Sequence, residues 1–403
     1  MRKINTRSFR LATRSTPREV NRQIVLNLIR EQQPISRAEL ARRMSVKRAA
    51  LTSIVRELIA GGDIEEIGAA AAVRGRRPTM LAVKTRGRLV VAVDVRPGHT
   101  HVALADFAGQ VLAREDLDTP AEPSALAEQL CARIAAILGA SDSAEQVHGI
   151  GIVVPGMVDR RSGTVLYAPR LGWRDVQLRD VISRATGLPV FIESAPIACA
   201  LARLWSLNGK TRIVNNFAYV SVSDGIGVGI VHKGEVLRGE THTAGELGHV
   251  SLDPNGPVCA CGRRGCWEAF ACNAAAVARY HALSGAPTNA KNPGPIAIEE
   301  IVRRAKAGDR PAVEALVETG RHVGRGLANV ASAFNPKRIY VGGEMTAAWE
   351  LLETPIREAL VVGTLTEVTA STPVYADPNP AEYRLLGAVA LVAAPSFAAA
   401  RVG

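Results

Sequence analysis

The chain has 403 residues, of which 47% are hydrophobic and 22% are charged, and this composition predicts a globular protein of two or three domains rather than a disordered one. No stretch approaches the roughly 18 uncharged apolar residues of a membrane span, and the basic N-terminus has no apolar run behind it. The sequence therefore predicts neither a membrane segment nor a signal peptide, and a cytoplasmic protein is expected.

The net charge of +11 is concentrated at one end of the chain. Residues 1–88 hold 20 Lys and Arg against 7 Asp and Glu, a net charge of +13, which leaves −2 for the remainder. A solvated basic face is the ordinary explanation of such an excess. Its segregation into one segment is also what a protein that binds the phosphate backbone of DNA requires.

Three short helices are predicted within this basic segment. Capping boxes at residues 16–19 and 36–39 begin the first and second helices, and Pro34 ends the first. A third helix is predicted to begin at Ser45 and to end at Gly61. The short connection between the last two helices predicts a helix-turn-helix, whose last helix enters the major groove of DNA.

The exposed face predicted for the third helix is small and polar in its middle and basic at its edges, which suits close approach to base edges and phosphates. Two strands, at residues 64–67 and 80–83, follow this helix and enclose a basic loop, as in the wing of a winged helix-turn-helix. Because any small helical bundle also has three capped helices, the prediction of DNA binding depends on the wing and the charge. The predicted DNA-contacting residues are Lys47, Arg48, Ala49, Thr52, Ser53 and Arg56 in the helix, and Arg74, Arg76 and Arg77 in the wing.

From residue 89 onwards the pattern changes to two related sets of three strands. Each set is followed by helical and strand segments, which predicts two α/β lobes with mixed sheets. A final helix is predicted by the apolar run at residues 385–394. The predicted strands are 91–95, 102–105 and 111–112 in the first set, and 218–222, 229–231 and 236–237 in the second.

A loop in the second half of the chain gathers one histidine and three cysteines. His249, Cys259, Cys261 and Cys266 have a spacing that suits a tetrahedral Cys3His zinc site. Four protein ligands leave no position for water or substrate, so the zinc would hold the loop in place rather than act in catalysis. The alternative is three buried cysteines and a loop histidine, but the segment is too small and too rich in turns to form a packed core.

The residues around these ligands resemble the central motif of the ROK family, whose name covers repressors, open reading frames and sugar kinases. The matching segments are AGELGH at residues 244–249 and CxCGxxGCxE at residues 259–268. The resemblance implies a two-lobed actin-like ATPase fold of the sugar kinase and Hsp70 type, with a cleft between the lobes and a final helix that returns to the first lobe. The expected fold class is α/β with an N-terminal winged helix-turn-helix. The expected boundaries are 1–85 for the DNA-binding domain, 86–199 with 382–403 for the first lobe, and 200–381 for the second.

The resemblance also implies a sugar site in the cleft. In this family the two glutamates and the histidine of the motif contact sugar hydroxyls, and these residues are Glu246, His249 and Glu268 here. The segments at 150–159 and 168–173 resemble the family's other sugar-side segments. They add three candidate ligand-binding residues, Pro155, Gly156 and Arg170.

Arg170 departs from the family pattern, which has an asparagine at this position. A cation there indicates an anionic ligand, such as a sugar phosphate or a sugar acid. An internal salt bridge to Glu193 or Asp159 is the alternative explanation.

Three departures from the family's kinases argue against phosphoryl transfer. In the first strand set, Arg96 and Pro97 replace the glycines that let backbone amides approach the phosphates. In the turn of the second set, Asp224 replaces a threonine and puts an anion facing the phosphate site. Ala195 replaces the aspartate that serves as general base, and alanine cannot accept a proton. Gly342 and Gly343 match the family's adenosine-side glycines, although a turn at the end of a strand explains them equally well.

The sequence thus predicts a DNA-binding transcriptional regulator, a repressor rather than an activator, that responds to a sugar or a sugar derivative. Double-stranded operator DNA and the sugar are its expected partners, zinc is its expected cofactor, and a homodimer or homotetramer is the expected assembly. Two alternatives are a regulator whose kinase-like body has lost sugar binding and an enzyme that also binds DNA.

Overall fold

A computed structural model of the chain describes residues 18–69, 78–139, 147–205, 214–240, 243–285, 296–377 and 380–394. The N-terminal unit contains three helices and a small antiparallel sheet of order β1-β3-β2. Its helices are α1 (Arg18–Gln32), α2 (Arg37–Arg43) and α3 (Arg48–Ala60), and its strands are β1 (Ile35–Ser36), β2 (Ile64–Ala69) and β3 (Thr79–Val83). The strand β1 was not predicted, and the first capping box begins outside the described residues.

The N-cap half of the second capping box is present, since the side chain of Ser36 accepts a hydrogen bond from the backbone amide of Glu39 at 3.1 Å, while the Glu39 carboxylate pairs with Arg42 and Arg43. The prediction that the third helix begins at Ser45 was wrong by three residues. Ser45 has a φ of 54°, in the left-handed region, and Lys47 is the extended N-cap residue, so the stretch between them forms the turn. One side of α3 is buried through Leu51, Ile54, Val55 and Leu58, as its periodicity predicts.

The rest of the chain contains two five-stranded sheets with the same plan. In the first, three antiparallel strands are extended by two parallel ones in the order β11-β7-β4-β5-β6, and in the second the order is β14-β13-β12-β15-β16. The first sheet comprises β4 (Leu89–Val95), β5 (His99–Asp106), β6 (Val111–Asp118), β7 (Val147–Val154) and β11 (Val190–Ser194). The second comprises β12 (Phe217–Val222), β13 (Ile226–His232), β14 (Glu235–Val236), β15 (Ile339–Gly342) and β16 (Val374–Ala376).

Helices and one smaller sheet cover these two sheets. The smaller sheet has the order β10-β9-β8 and comprises β8 (Met157–Asp159), β9 (Thr164–Ala168) and β10 (Trp173–Val176). The helices before the second sheet are α4 (Pro123–Gly139), α5 (Leu178–Thr186) and α6 (Ala195–Trp205). Those after its first three strands are α7 (Trp267–Ala271), α8 (Asn273–Ser284), α9 (Ile298–Lys306), α10 (Arg310–Phe334), α11 (Trp349–Val362), α12 (Glu367–Ala370) and α13 (Pro380–Ala393).

The final helix α13 returns to the first sheet, as the family resemblance implies. It packs on β4, β7 and β11 and on helix α6. A Cβ atom added to Gly151 in β7 would lie 2.0 Å from the carbonyl oxygen of Ala388, so glycine is required for this close approach. Among the helices that the structure describes, none is long and apolar enough to cross a membrane.

Candidate functional site

The four predicted metal ligands converge in the segment between β14 and α7. The ligand atoms of His249, Cys259, Cys261 and Cys266 all lie within 4.8 Å of one another. The sulfur atoms of Cys261 and Cys266 are 3.7 Å apart. A disulfide requires about 2.05 Å, whereas a tetrahedral site with Zn–S bonds of about 2.3 Å has edges of about 3.8 Å. The observed spacing therefore fits a shared metal ion.

Short backbone interactions hold this segment in place. His249 ends a 3-10 helix, Glu246–His249, and Cys266 is the N-cap of α7. Backbone bridges join Ser251 to Cys266 and Val258 to Arg264. Gly265 has a φ of 69°, and an added Cβ would lie 1.5 Å from the Asp253 carbonyl oxygen, so this turn requires glycine.

A cavity of about 120 Å³ lies beside this segment, between the two large sheets. Pro155 and Gly156 follow β7, and Arg170 lies in a 3-10 helix after β9. Glu246, His249 and Glu268 come from the opposite side, in and beside the metal-ligand segment. The cavity is lined by all six residues predicted for the ligand site: Pro155, Gly156, Arg170, Glu246, His249 and Glu268.

His249 faces both the cysteines and the cavity. Its Nδ1 atom lies 3.6 Å from the sulfur of Cys259, while its Nε2 atom lies 4.0 Å from a carboxylate oxygen of Glu246. Burial, together with the neighbouring Glu268 carboxylate, raises the pKa of Glu246. A metal on Nδ1 would leave Nε2–H directed at Glu246, which is the usual way in which a carboxylate orients a ligating histidine.

Glu268 has a structural contact in addition to its place in the cavity wall. One carboxylate oxygen accepts a 2.9 Å hydrogen bond from the amide of Ile226, at the start of β13. A Cβ atom at Gly225 would lie 2.6 Å from the same oxygen. Glu268 thus fixes the turn between β12 and β13 against the metal-ligand segment.

Arg170 does not form the internal salt bridge that was considered as an alternative. Within the described residues it has no carboxylate within 4.0 Å, and its Nη2 atom lies 3.9 Å from the sulfur of Cys272. Glu193 is paired with Arg238 at 2.9 Å. Asp159 accepts hydrogen bonds from the turn that follows it, including one from the Ser162 hydroxyl at 2.8 Å.

Charged side chains from both lobes meet beside the two turns where, by the resemblance, phosphate-binding glycines were expected. The buried carboxylate of Asp94 accepts hydrogen bonds from Arg96 at 2.8 Å and from Arg384 at 2.6 Å. Burial alone would raise the pKa of Asp94, but these two guanidinium groups hold it below its ordinary value. Arg96 also lies 3.3 Å from Glu344, which follows β15 in the second sheet. Glu344 in turn accepts hydrogen bonds from Ser223 at 2.7 Å and Asn273 at 2.9 Å.

Sequence reasoning did not identify Arg384 or Glu344. A signal for Arg384 was present in the sequence, since it is the single arginine of the apolar final helix. A buried arginine needs an acidic partner, so its position indicated a buried ion pair. Packing and backbone conformation also account for Gly342, the last residue of β15, and for Gly343, which follows it. A Cβ at Gly342 would lie 2.0 Å from the Tyr219 hydroxyl, and Gly343 has a φ of 133°.

The predicted DNA-contacting face of α3 is exposed where the structure describes its side chains. Lys47, Ala49, Thr52, Ser53 and Arg56 are exposed, opposite the buried face of the helix. Arg48 is the first residue of α3, but its side chain lies outside the description. The three wing arginines, Arg74, Arg76 and Arg77, also lie outside the described residues.

Comparison with known proteins agrees with this architecture. A model of the ROK family matches residues 90–394, beginning within β4 and leaving the N-terminal unit outside the match. The xylose repressor of Caldicellulosiruptor bescii is 30% identical over 351 residues, which cover 85% of this chain and 88% of that protein. The DNA-binding transcriptional dual regulator NagC of Escherichia coli K12 is 29% identical over 362 residues, which cover 89% of this chain and 88% of that protein.

Two solved structures support the same assignment. A ROK family transcriptional regulator, described as a homolog of the E. coli MLC protein, has a TM-score of 0.76 at 29% identity and covers 94% of this chain and 98% of that one. A ROK family glucokinase from Streptomyces griseus, in complex with glucose and AMPPNP, has a TM-score of 0.67 at 29% identity. The match covers 75% of this chain and 99% of that one. The two large lobes therefore have the actin-like fold of ROK sugar kinases, and this chain belongs to the ROK family.

Proposed function

We propose that this ROK protein is a sugar-responsive, DNA-binding transcriptional repressor in the cytoplasm. The observation that carries the proposal is the combination of two parts in one chain. A basic three-helix unit with a hairpin precedes a kinase-like body whose two lobes enclose a cavity lined by all six candidate ligand residues. The names of the xylose repressor and NagC support the same function for this chain.

The N-terminal unit would bind duplex DNA with α3 in the major groove and the β2–β3 hairpin beside it. The exposed face of α3 has small residues at its centre, so the helix can approach base edges, and Arg56 can reach a phosphate or a guanine. One such unit covers only a few base pairs. We therefore infer a homodimer or homotetramer that binds two half-sites related by two-fold symmetry.

The side of the cavity that belongs to the second lobe would recognise a sugar. Glu246, His249 and Glu268 supply carboxylate and imidazole groups, which suit the hydroxyls of a carbohydrate. From the other side, Arg170 offers an exposed guanidinium that, within the described residues, forms no ion pair within 4.0 Å, although Asp224 of the same cavity lies near enough to feel its charge, and we infer that this guanidinium favours a sugar with an anionic group.

We infer that zinc is the metal held by His249 and the three cysteines, since their donor set and spacing match a structural site. The metal supplies no catalytic step. The protein's own residues hold the loop so that Glu246 and the Nε2 side of His249 face the cavity.

Phosphoryl transfer is not part of the proposal. Ala195 stands at the position of the kinase base, and Asp94 is engaged by two arginines. A coupled assay with ATP and a hexose panel is expected to show no turnover. Turnover that disappears in an Asp94→Ala variant would instead identify a ROK kinase.

The experiment that tests DNA binding is selection of bound duplexes from a random pool by the purified protein. The expected result is a motif with two-fold related halves. Arg56→Ala should weaken binding to that duplex, whereas Arg357→Ala, on α11 of the second lobe, serves as the matched control and should not. If no common motif is recovered, the proposed role as a sequence-specific DNA-binding regulator is wrong.

A further inference from the structure

Helix α6 extends from the cavity to the N-terminal unit. Its first two residues, Ala195 and Pro196, line the cavity, and its last residue, Trp205, lies against α1. Eleven residues of α-helix span roughly 16 Å. Helix α6 therefore has one end at the proposed sugar site and the other end at the proposed DNA-binding unit.

At the cavity end, α6 packs closely against β13 of the second lobe on one side and against α13 on the other. A Cβ at Gly229 of β13 would lie 2.3 Å from the Pro196 carbonyl oxygen, and one at Gly227 would lie 2.7 Å from the Pro196 ring. On the opposite side, a Cβ at Gly387 of α13 would lie 2.5 Å from the Ala198 carbonyl oxygen. Because close-packed elements transmit displacement, a change in the angle between the lobes must move α6.

At the far end, a buried arginine of the N-terminal unit binds the end of α6. Arg30 of α1 is 4% exposed, and its Nη1 atom donates a 3.0 Å hydrogen bond to the carbonyl oxygen of Leu204. Its guanidinium also lies 5.6 Å from the centre of the Trp205 ring. The last carbonyls of a helix lack partners within the helix and carry the negative end of its dipole, so a cation is favoured there.

A second set of contacts joins the same end of α6 to α3. The Trp205 indole donates a 2.8 Å hydrogen bond to the Phe107 carbonyl oxygen, and Arg88 lies 4.4 Å from the Phe107 ring. Arg88 is 3.3 Å from the carboxylate of Asp63, which lies just beyond α3. Helix α1 thus contacts this end of α6 directly through Arg30, whereas the route towards α3 passes through Phe107 and Arg88 and reaches Asp63, just beyond that helix.

We propose that α6 transmits closure of the cavity to the N-terminal unit, and that Arg30 is the positioning residue that couples the two. The proposal rests on the proposed function and specifies how the same cavity is linked to DNA. A ligand that changes the angle between the lobes moves α6, and Arg30 carries α1 with it. The spacing of the recognition helices in a dimer then changes.

The test compares operator affinity with and without sugar in the wild type, Arg30→Met, Arg30→Lys and Arg43→Gln. The operator is the duplex recovered by selection, and the sugars are D-xylose, D-glucose, N-acetyl-D-glucosamine and the 6-phosphates of the last two. Arg43 is the matched control, because it lies in α2 and pairs with Glu39 of its own helix. Calorimetry on the DNA-free proteins measures sugar affinity separately.

In the wild type, an active sugar is expected to lower operator affinity by about 5- to 150-fold. Arg30→Met should reduce this effect to less than about twofold while sugar affinity stays unchanged, because the affinity change measures coupling between the sites. Arg30→Lys should restore part of the effect, and Arg43→Gln should retain all of it. A full effect in Arg30→Met, or a loss of sugar binding in that variant, would overturn the proposal.

If none of these sugars changes the operator affinity of the wild type, the proposed response to sugar is wrong. Hydrogen exchange then tests the coupling through α6 without a ligand. In ligand-free Arg30→Met, exchange should become faster in α1 and along α6 as far as its first turn at the cavity. A change confined to the last turn of α6 would show that Arg30 is only a local contact.

Discussion

The carboxylate of Asp94 is buried between two guanidinium groups that come from opposite ends of the folded region. Arg96 is two residues away in sequence, whereas Arg384 lies on the final helix and also donates a 3.0 Å hydrogen bond to the Val95 carbonyl oxygen. Arg96 also reaches across to Glu344, which follows β15 in the second lobe.

We predict that Arg384→Met lowers the free energy of unfolding by about 3 to 5 kcal/mol, because it leaves the buried Asp94 without one of its two partners. Urea denaturation of the purified protein measures this. Adding Asp94→Asn to the same variant should recover part of the loss. If the two substitutions together cost the sum of their separate effects, the two side chains do not stabilise each other and the interpretation is wrong.

Local sequence could predict one half of this ion pair and not the other. Asp94 stands at the end of an apolar strand, and the loss of glycine beside it is visible in the chain. Arg384 could not be assigned as its partner, because 290 positions separate the two and only the packing of α13 on β4 brings them together.

At the scale of elements, the metal-ligand segment has little packing of its own. Cys259 and Cys266 are buried, but the segment around them is held mainly by bridges, turns and the four converging ligand atoms. A metal ion would therefore contribute directly to the stability of this part of the second lobe.

We predict about one zinc ion per chain in protein purified without added metal. Cys261→Ala combined with Cys266→Ala should abolish zinc binding and lower the midpoint of thermal unfolding, because half of the ligands are lost. Cys131→Ala is the matched control, since Cys131 lies on α4, away from the cluster. Elemental analysis measures the zinc content, and thermal denaturation measures the unfolding midpoint. A double variant with wild-type zinc content would refute the ligand assignment.

The N-terminal unit yields a prediction about salt. If Arg76 and Arg77 contact phosphates, replacing both with alanine should weaken operator binding and reduce the salt dependence of log affinity by roughly 2. Anisotropy titrations between low and high salt measure this slope. Arg357→Ala again serves as control, and an unchanged slope in the wing variant would exclude those two residues from phosphate contact.

The sequence predicted most elements because periodicity and capping act locally. The two strand sets, the buried face of α3 and the final helix all appear near their predicted positions. The start of α3 was misplaced because a left-handed Ser45 extends the turn, and no local pattern indicates that conformation. The two-residue strand β1 was missed because it exists only through pairing with β3.

At the scale of the whole molecule, the ligand-site candidates lie in a cavity whose walls come from two lobes, and the N-terminal unit lies at the opposite end of α6. The ion pair between Arg96, which lines this cavity, and Glu344 links the two lobes. We therefore infer that an effector sugar, rather than a nucleotide, sets the angle between the lobes.

The most direct test of this account is a titration of operator affinity against sugars for the wild type and for Glu246→Ala. Glu246 lines the cavity without being a metal ligand, so its loss should weaken sugar binding and leave sugar-free operator affinity unchanged. One sugar of the panel is expected to release the wild-type protein from its operator, and Glu246→Ala should require at least about tenfold more of that sugar, the effect of losing roughly 1.4 kcal/mol of binding free energy. Equal release of the two proteins at the same sugar concentration would contradict the account, because it would place the effector site outside this cavity.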